Sequence, residues 1–189
     1  TTPAALPESR GRSSTRVHAL AAGDGRLWLA WPTDGSREGS FHRPIRQRVA
    51  RLKASLAELG LAVSTGRVVD FRAKDLLRAK PGPNTVPLIY PCHLQRGHVE
   101  WPNGRTRKPN ALALSPRAED LLLPAGHYVL VKRFSAKEEP RRIVAAVYDP
   151  AHVAADRVAF ENHLNFYHQR GTGLPATVAK GLAAFLNST

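Results

Sequence analysis

Residues Tyr128 to Tyr148 read YVLVKRFSAKEEPRRIVAAVY. Two segments rich in β-branched and aromatic residues flank a short charged connection, which is the pattern of a β-hairpin. Five cations lie at or beside the connection: Lys132, Arg133, Lys137, Arg141 and Arg142. Clustered Arg and Lys side chains on a rigid hairpin can hold phosphates and reach base edges, so these five are the first candidates for DNA contact. A solvated hairpin tip is the alternative that this segment leaves open.

The composition favours a polyanionic partner. A formal charge of +13 over 189 residues indicates nucleic acid as the partner, and it carries no information about the fold. No membrane partner is expected, because no apolar run approaches the roughly 20 residues of a spanning helix. The single cysteine, Cys92, excludes a disulfide framework and a cysteine-rich zinc site. With no secretory signal at the start, the sequence predicts a cytoplasmic location.

Two segments have the periodicity of amphipathic helices. Apolar residues recur at three- and four-residue steps before Gly60: Ile45, Val49, Leu52, Leu56 and Leu59. A C-terminal helix is predicted from Pro175 to Leu186, with these residues facing the core: Val178, Leu182, Phe185 and Leu186. The remaining strands are short and show no βαβ regularity. The sequence therefore predicts an α+β fold: a mixed short-strand sheet with a β-hairpin, an N-terminal amphipathic helix and a C-terminal helix.

The domain organisation follows from composition. Residues 1–16 are rich in Pro, Ser and Arg, so they predict a disordered lead-in, and 17–189 predict one folded domain. The sequence contains no methionine, so we expect it to be a fragment of a longer protein or a processed product.

Further candidates for DNA contact lie in two other segments. Arg67 and Arg72 adjoin Ser64-Thr65-Gly66, where hydroxyl groups and a glycine allow a phosphate to come close. Lys108 and Asn110 end a basic loop, and asparagine is suited to bidentate contact with adenine. These four residues form the second group of predicted contacts.

The titratable residues favour binding over catalysis. The histidines lack the spacing of zinc ligands, and no metal site is predicted. Four acids are not arranged compactly with a lysine for a divalent cation: Asp70, Asp75, Asp120 and Glu161. His163 lies in Glu161-Asn-His-Leu-Asn165, which leaves a magnesium-dependent nuclease open, and a generic RNA-binding module is another alternative. Asn162, His163 and Asn165 could read bases, although fixing loops by hydrogen bonds is the favoured role.

Five stretches together resemble a known family. They occur in the same order in this sequence: Val63–Arg72, Val86–Pro91, Lys108–Ala111, Tyr128–Ser135 with Lys137–Glu139, and Glu161–Asn165. They are similar to the C-terminal half of adenine-N6-specific DNA methyltransferases of type II restriction–modification systems, in the Eco57I-like group. The resemblance covers roughly residues 60 to 189.

The resemblance implies that 17–189 form a DNA target-recognition domain, which binds double-stranded DNA. In that family a catalytic domain in cis precedes this half and carries S-adenosylmethionine and an Asn-Pro-Pro-Tyr tetrapeptide. This sequence has no Pro-Pro pair. Base flipping and methyl transfer are therefore implied for the parent enzyme, with no catalytic residue and no cofactor in this chain.

Overall fold

The structure, a computed structural model, describes residues 18–21, 27–30, 55–95, 97–135 and 143–188, with the backbone alone for the first two ranges. The chain divides into two units, residues 1–55 and 56–189. In the first unit, β1 (His18–Ala21) and β2 (Leu27–Ala30) pair antiparallel.

The second unit contains two sheets and a helix. Its strands are β3 (Ala62–Thr65), β4 (Leu77–Arg78), β5 (Thr85–Ile89), β6 (Leu94–Gln95), β7 (His98–Val99), β8 (Ala111–Ala113), β9 (Leu122–Pro124), β10 (Tyr128–Lys132), β11 (Ala145–Tyr148), β12 (Arg157–Phe160) and β13 (Leu164–His168), and its helix is α1 (Ala176–Leu186). Short 3-10 turns span Asp70–Arg72, Pro91–His93 and Pro116–Leu121. One sheet has the order β3-β13-β10-β11-β7-β6, and the other has the order β4-β8-β5-β12-β9. The predicted α+β class is confirmed.

The predicted hairpin is present. β10 and β11 pair antiparallel with Tyr128 opposite Tyr148 and Val131 opposite Ala145. Alternate residues of β10 face opposite sides of the sheet, as the pleat requires. Residues 136–142 lie outside the described residues, so the structure gives no position for Lys137, Arg141 or Arg142.

An aromatic cluster between the two sheets holds them together. The ring centroid of Phe160 lies 5.3 Å from those of Tyr128 and Phe166, and 5.7 Å from that of Tyr148. All four residues are at most 1% exposed. Aromatic pairs of this kind add about 0.5–1.5 kcal/mol each to the free energy of burial. The ends of the strands are thus fixed relative to one another.

Helix α1 covers the other face of the six-stranded sheet through small residues. Ala179 and Ala183 are buried against Val129, Ala145 and Val147, and Leu182 and Leu186 pack partly against this cluster. Two predicted core residues are instead exposed: Val178 at 39% and Phe185 at 70%. The prediction is wrong for these two because the alanines, four residues apart, let the helix backbone approach the sheet on their side.

The predicted N-terminal helix lies mostly outside the described residues, which resume at Ser55. Hydrogen-bonded turns follow, and Gly60 ends them with a φ of 69°. Leu56 and Leu59, expected to face the core, are 41% and 57% exposed. In the ranges that the structure describes, no helix has the length and apolar character needed to cross a membrane.

Candidate nucleic-acid interface

Several strands end at the same edge of the second unit. β5 and β12 run parallel with Ile89 opposite Phe160, so the segments after both strands lie side by side. β10 is antiparallel to β13 with Lys132 opposite Leu164, so the end of β10 meets the start of β13. We call the surface formed there the strand-end surface. It comprises Arg72, Lys108, Lys132, Arg133, Phe134 and His163.

A backbone junction joins the two sheets beneath this surface. Val68 forms a parallel bridge with Glu161, and its carbonyl accepts a 2.9 Å hydrogen bond from the Asn162 N–H. Gly66 lies against the backbone of Glu161 with no room for a Cβ. Its close approach is therefore to a neighbouring strand, which corrects the expectation that it opens space for phosphate. The Thr65 hydroxyl is also engaged, because it donates to Asn165 Oδ1 at 3.1 Å.

The end of the hairpin is fastened to the turn between β12 and β13. The Arg133 N–H donates to the His163 carbonyl at 2.9 Å, and Arg133 Nη1 donates to the Asn162 carbonyl at 2.7 Å. A guanidinium has five N–H donors, so others remain for a ligand. Arg133 is exposed and Lys132 is half-buried. The structure thus presents both cations at one edge, as predicted for hairpin residues.

A buried carboxylate shapes that turn. Glu161 is 1% exposed and accepts hydrogen bonds from the His163 backbone N–H, at 2.9 Å, and from the imidazole Nδ1. A carboxylate in such a site requires partners, so it holds the ring in place. The imidazole is more than half exposed. The Glu-Asn-His sequence therefore builds a rigid turn with a polar tip.

Lys108 is positioned by a second carboxylate. Lys108 Nζ donates to Asp70 Oδ2 at 2.9 Å and lies 5.0 Å from the Tyr90 ring centroid, and the Tyr90 hydroxyl donates to Asp70 Oδ1 at 2.7 Å. The hydrogen bond to Asp70 raises the pKa of Lys108, so its ammonium stays charged at neutral pH. Burial, followed by the bond to Asp70, raises the pKa of Tyr90. Beside them, the Arg72 guanidinium lies 5.4 Å from the Phe71 ring centroid.

Asn110 has a different place from the one predicted. It is 7% exposed, and its Oδ1 accepts from the Asn103 N–H at 2.8 Å and from His93 Nε2 at 3.2 Å. Its Nδ2 donates to the carbonyls of Ala79 and Asn103 at 3.2 and 3.3 Å. With its amide fully engaged inside, Asn110 anchors the basic loop that ends at Lys108. We therefore remove it from the candidate interface.

Arg67 is also occupied within the fold. Its Nη1 donates to the carbonyls of Asp120 and Leu122 at 3.2 and 3.0 Å. These carbonyls lie at the end of the 3-10 turn Pro116–Leu121, where orphan acceptors need partners. A structural role for Arg67 follows.

Positive charge at the strand ends is poorly neutralised. Among the described residues no carboxylate pairs with Arg72, with Lys80 beside the Asn110 anchor, or with Arg107 in the basic loop, and all three are exposed. By contrast, Arg157 at the opposite end of β12 pairs with Glu119. An excess of cations on one edge attracts a polyanion. Within the described ranges no three histidine, cysteine or acidic side chains gather as a metal site.

Phe71 and Phe134 were not predicted from the sequence to lie at the surface. They are 68% and 64% exposed. The sequence did contain a signal for both, because each phenylalanine adjoins an arginine. In the structure, the guanidinium of that arginine lies over the ring in both cases. His163 was expected to stabilise its turn, and its backbone and ring do bond to Glu161.

The buried histidines predict how stability depends on pH. Burial lowers the pKa of His93, and burial followed by the charge of Arg67 lowers the pKa of His168. His93 Nδ1 accepts the Tyr90 N–H at 2.9 Å, and His168 Nδ1 accepts the Gly171 N–H at 3.0 Å, so both rings fold neutral. The unfolded chain binds protons first as pH falls. The contribution of these histidines to the free energy of unfolding is then constant above about pH 6.5. Below that pH it declines, by at most about 1.4 kcal/mol per pH unit for each histidine.

Urea unfolding between about pH 7.5 and 5.5 measures this decline. His93→Gln is the matched variant, because it removes one titrating ring and should flatten the curve. A free energy of unfolding that rises as the solution is acidified through this range would contradict the assignment.

Comparison with known proteins identifies relatives. The chain is 46% identical over 147 residues to the type II methyltransferase M.PstI of Providencia stuartii, covering 78% of this chain and 29% of the relative. It is 53% identical over 135 residues to the type II methyltransferase M.BsuBI of Bacillus subtilis, covering 71% and 27%. The chain thus spans less than a third of the length of these curated relatives. No protein-family model matches it, and no solved structure matches it.

The homologues of this chain are therefore type II methyltransferases. The expected relation to a methyltransferase of a restriction–modification system is confirmed at that level. Its placement in the Eco57I-like group and its role as a C-terminal recognition region stay predictions.

Proposed function

We propose that this chain is the target-recognition region of an adenine-N6-specific DNA methyltransferase of a type II restriction–modification system. The observation that carries the proposal is the strand-end surface, where separate segments of the chain bring Arg72, Lys108, Lys132 and Arg133 to one edge. Duplex DNA is a regular polyanion that such a surface fits. The relation to type II methyltransferases supports DNA over other polyanions.

The cations of this surface suit two kinds of contact. Lys108 is held by Asp70 as a fixed point charge, which favours a phosphate. Arg133 is fastened through one nitrogen, and its remaining N–H groups form a planar fork suited to a phosphate or to guanine O6 and N7. Phosphate contacts would set the position of the protein on the duplex, and base contacts would set its specificity.

We assign methyl transfer to a catalytic domain in cis, outside this chain. The resemblance implies that S-adenosylmethionine binds a Gly-rich loop of that catalytic domain. In the described part of this chain, the glycines that have no room for a Cβ pack on backbone: Gly66 on Glu161, and Gly126 and Gly173 on each other. This chain would supply DNA binding and orientation alone.

Arg133→Ala tests the proposal. We expect weaker binding to all duplexes, with the slope of log K against log salt lowered by about one unit, because one phosphate contact is lost. Electrophoretic shifts of a random duplex pool at two salt concentrations measure it. Lys180→Ala is the matched control, since Lys180 is an exposed cation on α1.

The outcomes separate the possible roles of this residue. A loss of about 1–3 kcal/mol at one base pair would assign Arg133 to base reading. Unchanged affinity for every duplex would remove the hairpin end from the interface.

The same preparation distinguishes the two alternative functions. A magnesium-dependent nuclease predicts that the chain cleaves plasmid with Mg²⁺ and that His163→Ala abolishes cleavage. An RNA-binding module predicts that RNA outcompetes duplex DNA. The recognition region predicts intact plasmid and preference for duplex DNA.

A further inference from the structure

Phe134 is an exposed apolar side chain among the polar and charged residues of the strand-end surface. It is 64% exposed at the end of the hairpin, directly after Lys132 and Arg133. Single exposed apolar side chains are common on protein surfaces, so the surroundings of Phe134 decide what it can do. Here the surroundings are the cations of the strand-end surface, where a DNA backbone would lie.

The ring of Phe134 has two polar side chains close to it. Its centroid lies 5.7 Å from that of the His163 imidazole and 5.3 Å from the Arg133 guanidinium carbon. Both side chains are fixed: Arg133 by its bonds to the His163 and Asn162 carbonyls, and His163 by Glu161. A ring with fixed neighbours loses little conformational freedom when it enters a ligand.

We propose that Phe134 is a wedge that enters the base stack of the bound duplex beside the cations that hold its phosphates. The inference rests on the proposed function, because it requires DNA at the strand-end surface. Apolar wedges of this kind, Phe and Leu among them, partly unstack base steps and bend the duplex.

A wedge at Phe134 contributes to binding in a different way from Arg133 and Lys108. Arg133 and Lys108 neutralise phosphate, so their loss changes the dependence of binding on salt. Phe134 carries no charge, so its loss weakens binding and leaves the salt slope unchanged. It also removes the distortion of the DNA.

The test uses the full chain and a duplex that the wild type enriches from a random pool, with adenines replaced one at a time by the fluorescent base 2-aminopurine. Unstacking at the wedge raises 2-aminopurine fluorescence. We expect this rise with the wild type and with Phe134→Leu, which keeps an apolar wedge. Phe134→Ala should lose the rise and bind about tenfold more weakly at the same salt slope.

Phe185→Ala is the matched control, because Phe185 is 70% exposed on α1. This variant should bind the duplex with wild-type affinity and give the same rise in 2-aminopurine fluorescence. Retention of both the affinity and the fluorescence rise by Phe134→Ala would overturn the wedge while leaving DNA recognition intact. Equal losses in Phe134→Leu and Phe134→Ala would overturn it in favour of aromatic stacking. If the wild type enriches no duplex, the proposed function itself fails.

Discussion

Gly66→Ala should lower the free energy of unfolding by at least about 3 kcal/mol, because overpacking against rigid backbone cannot relax. A Cβ on Gly66 would overlap the Glu161 carbonyl oxygen and lie 2.6 Å from its carbon and 2.7 Å from the Phe160 oxygen. Since these are backbone atoms, no rotamer change relieves the contact. The bridge between Val68 and Glu161 would have to open, and the strand-end surface would lose the backbone junction that lies beneath it.

Gly181→Ala is the matched control for this change. Nothing lies within 4 Å of a Cβ added to Gly181, which is inside α1. Alanine should raise stability there by about 0.5–1 kcal/mol, because glycine loses more backbone freedom on folding. Urea unfolding followed by circular dichroism measures both variants. A Gly66→Ala midpoint equal to that of the wild type would show that the junction is looser than described.

Asn110→Ala is expected to cost about 3 kcal/mol or more, because it leaves several buried polar groups without partners. The His93 Nε2–H and the Asn103 N–H lose their acceptor, and the Ala79 carbonyl loses its donor. Asn165→Ala is the control, since the bond from Thr65 to Asn165 is exposed and worth less than about 1 kcal/mol. The urea midpoint reports the difference.

Asn110→Ala also separates an anchor from a base contact. An anchor predicts a destabilised chain with a similar loss of affinity for every duplex, because the basic loop loosens. Wild-type stability with a loss confined to A·T pairs would restore the base contact expected from the sequence.

Local patterns allowed the hairpin to be predicted from the sequence. Its strands are rich in β-branched and aromatic residues, and the partners Tyr128 and Tyr148 are near in sequence. The residues that face the sheet from α1 were predicted only in part. Counting large apolar residues favoured Phe185, whereas Ala179 and Ala183 make the contact.

The candidate site depended on contacts between distant segments. Gly66 meets Glu161 across 95 residues of sequence, and the partners of Asn110 come from three separate stretches. From its polarity alone, a residue such as Asn110 is predicted to be exposed, and only its hydrogen-bond partners in the fold show that it is buried. Lys108 and Arg133 were found because clustered cations tend to remain at the surface, where their charge is solvated.

The most direct test of a DNA-binding strand-end surface compares two triple variants with equal loss of charge. The first combines Arg72→Gln, Lys108→Gln and Arg133→Gln. The second combines Arg157→Gln, Arg170→Gln and Lys180→Gln, whose residues are exposed and lie outside that surface. Fluorescence anisotropy of a labelled duplex over a salt series gives the slope of log K against log salt. We expect the first variant to lower the slope by about two to three units and the second to leave it nearly unchanged. An equal decrease in both would show that DNA does not bind at the strand-end surface.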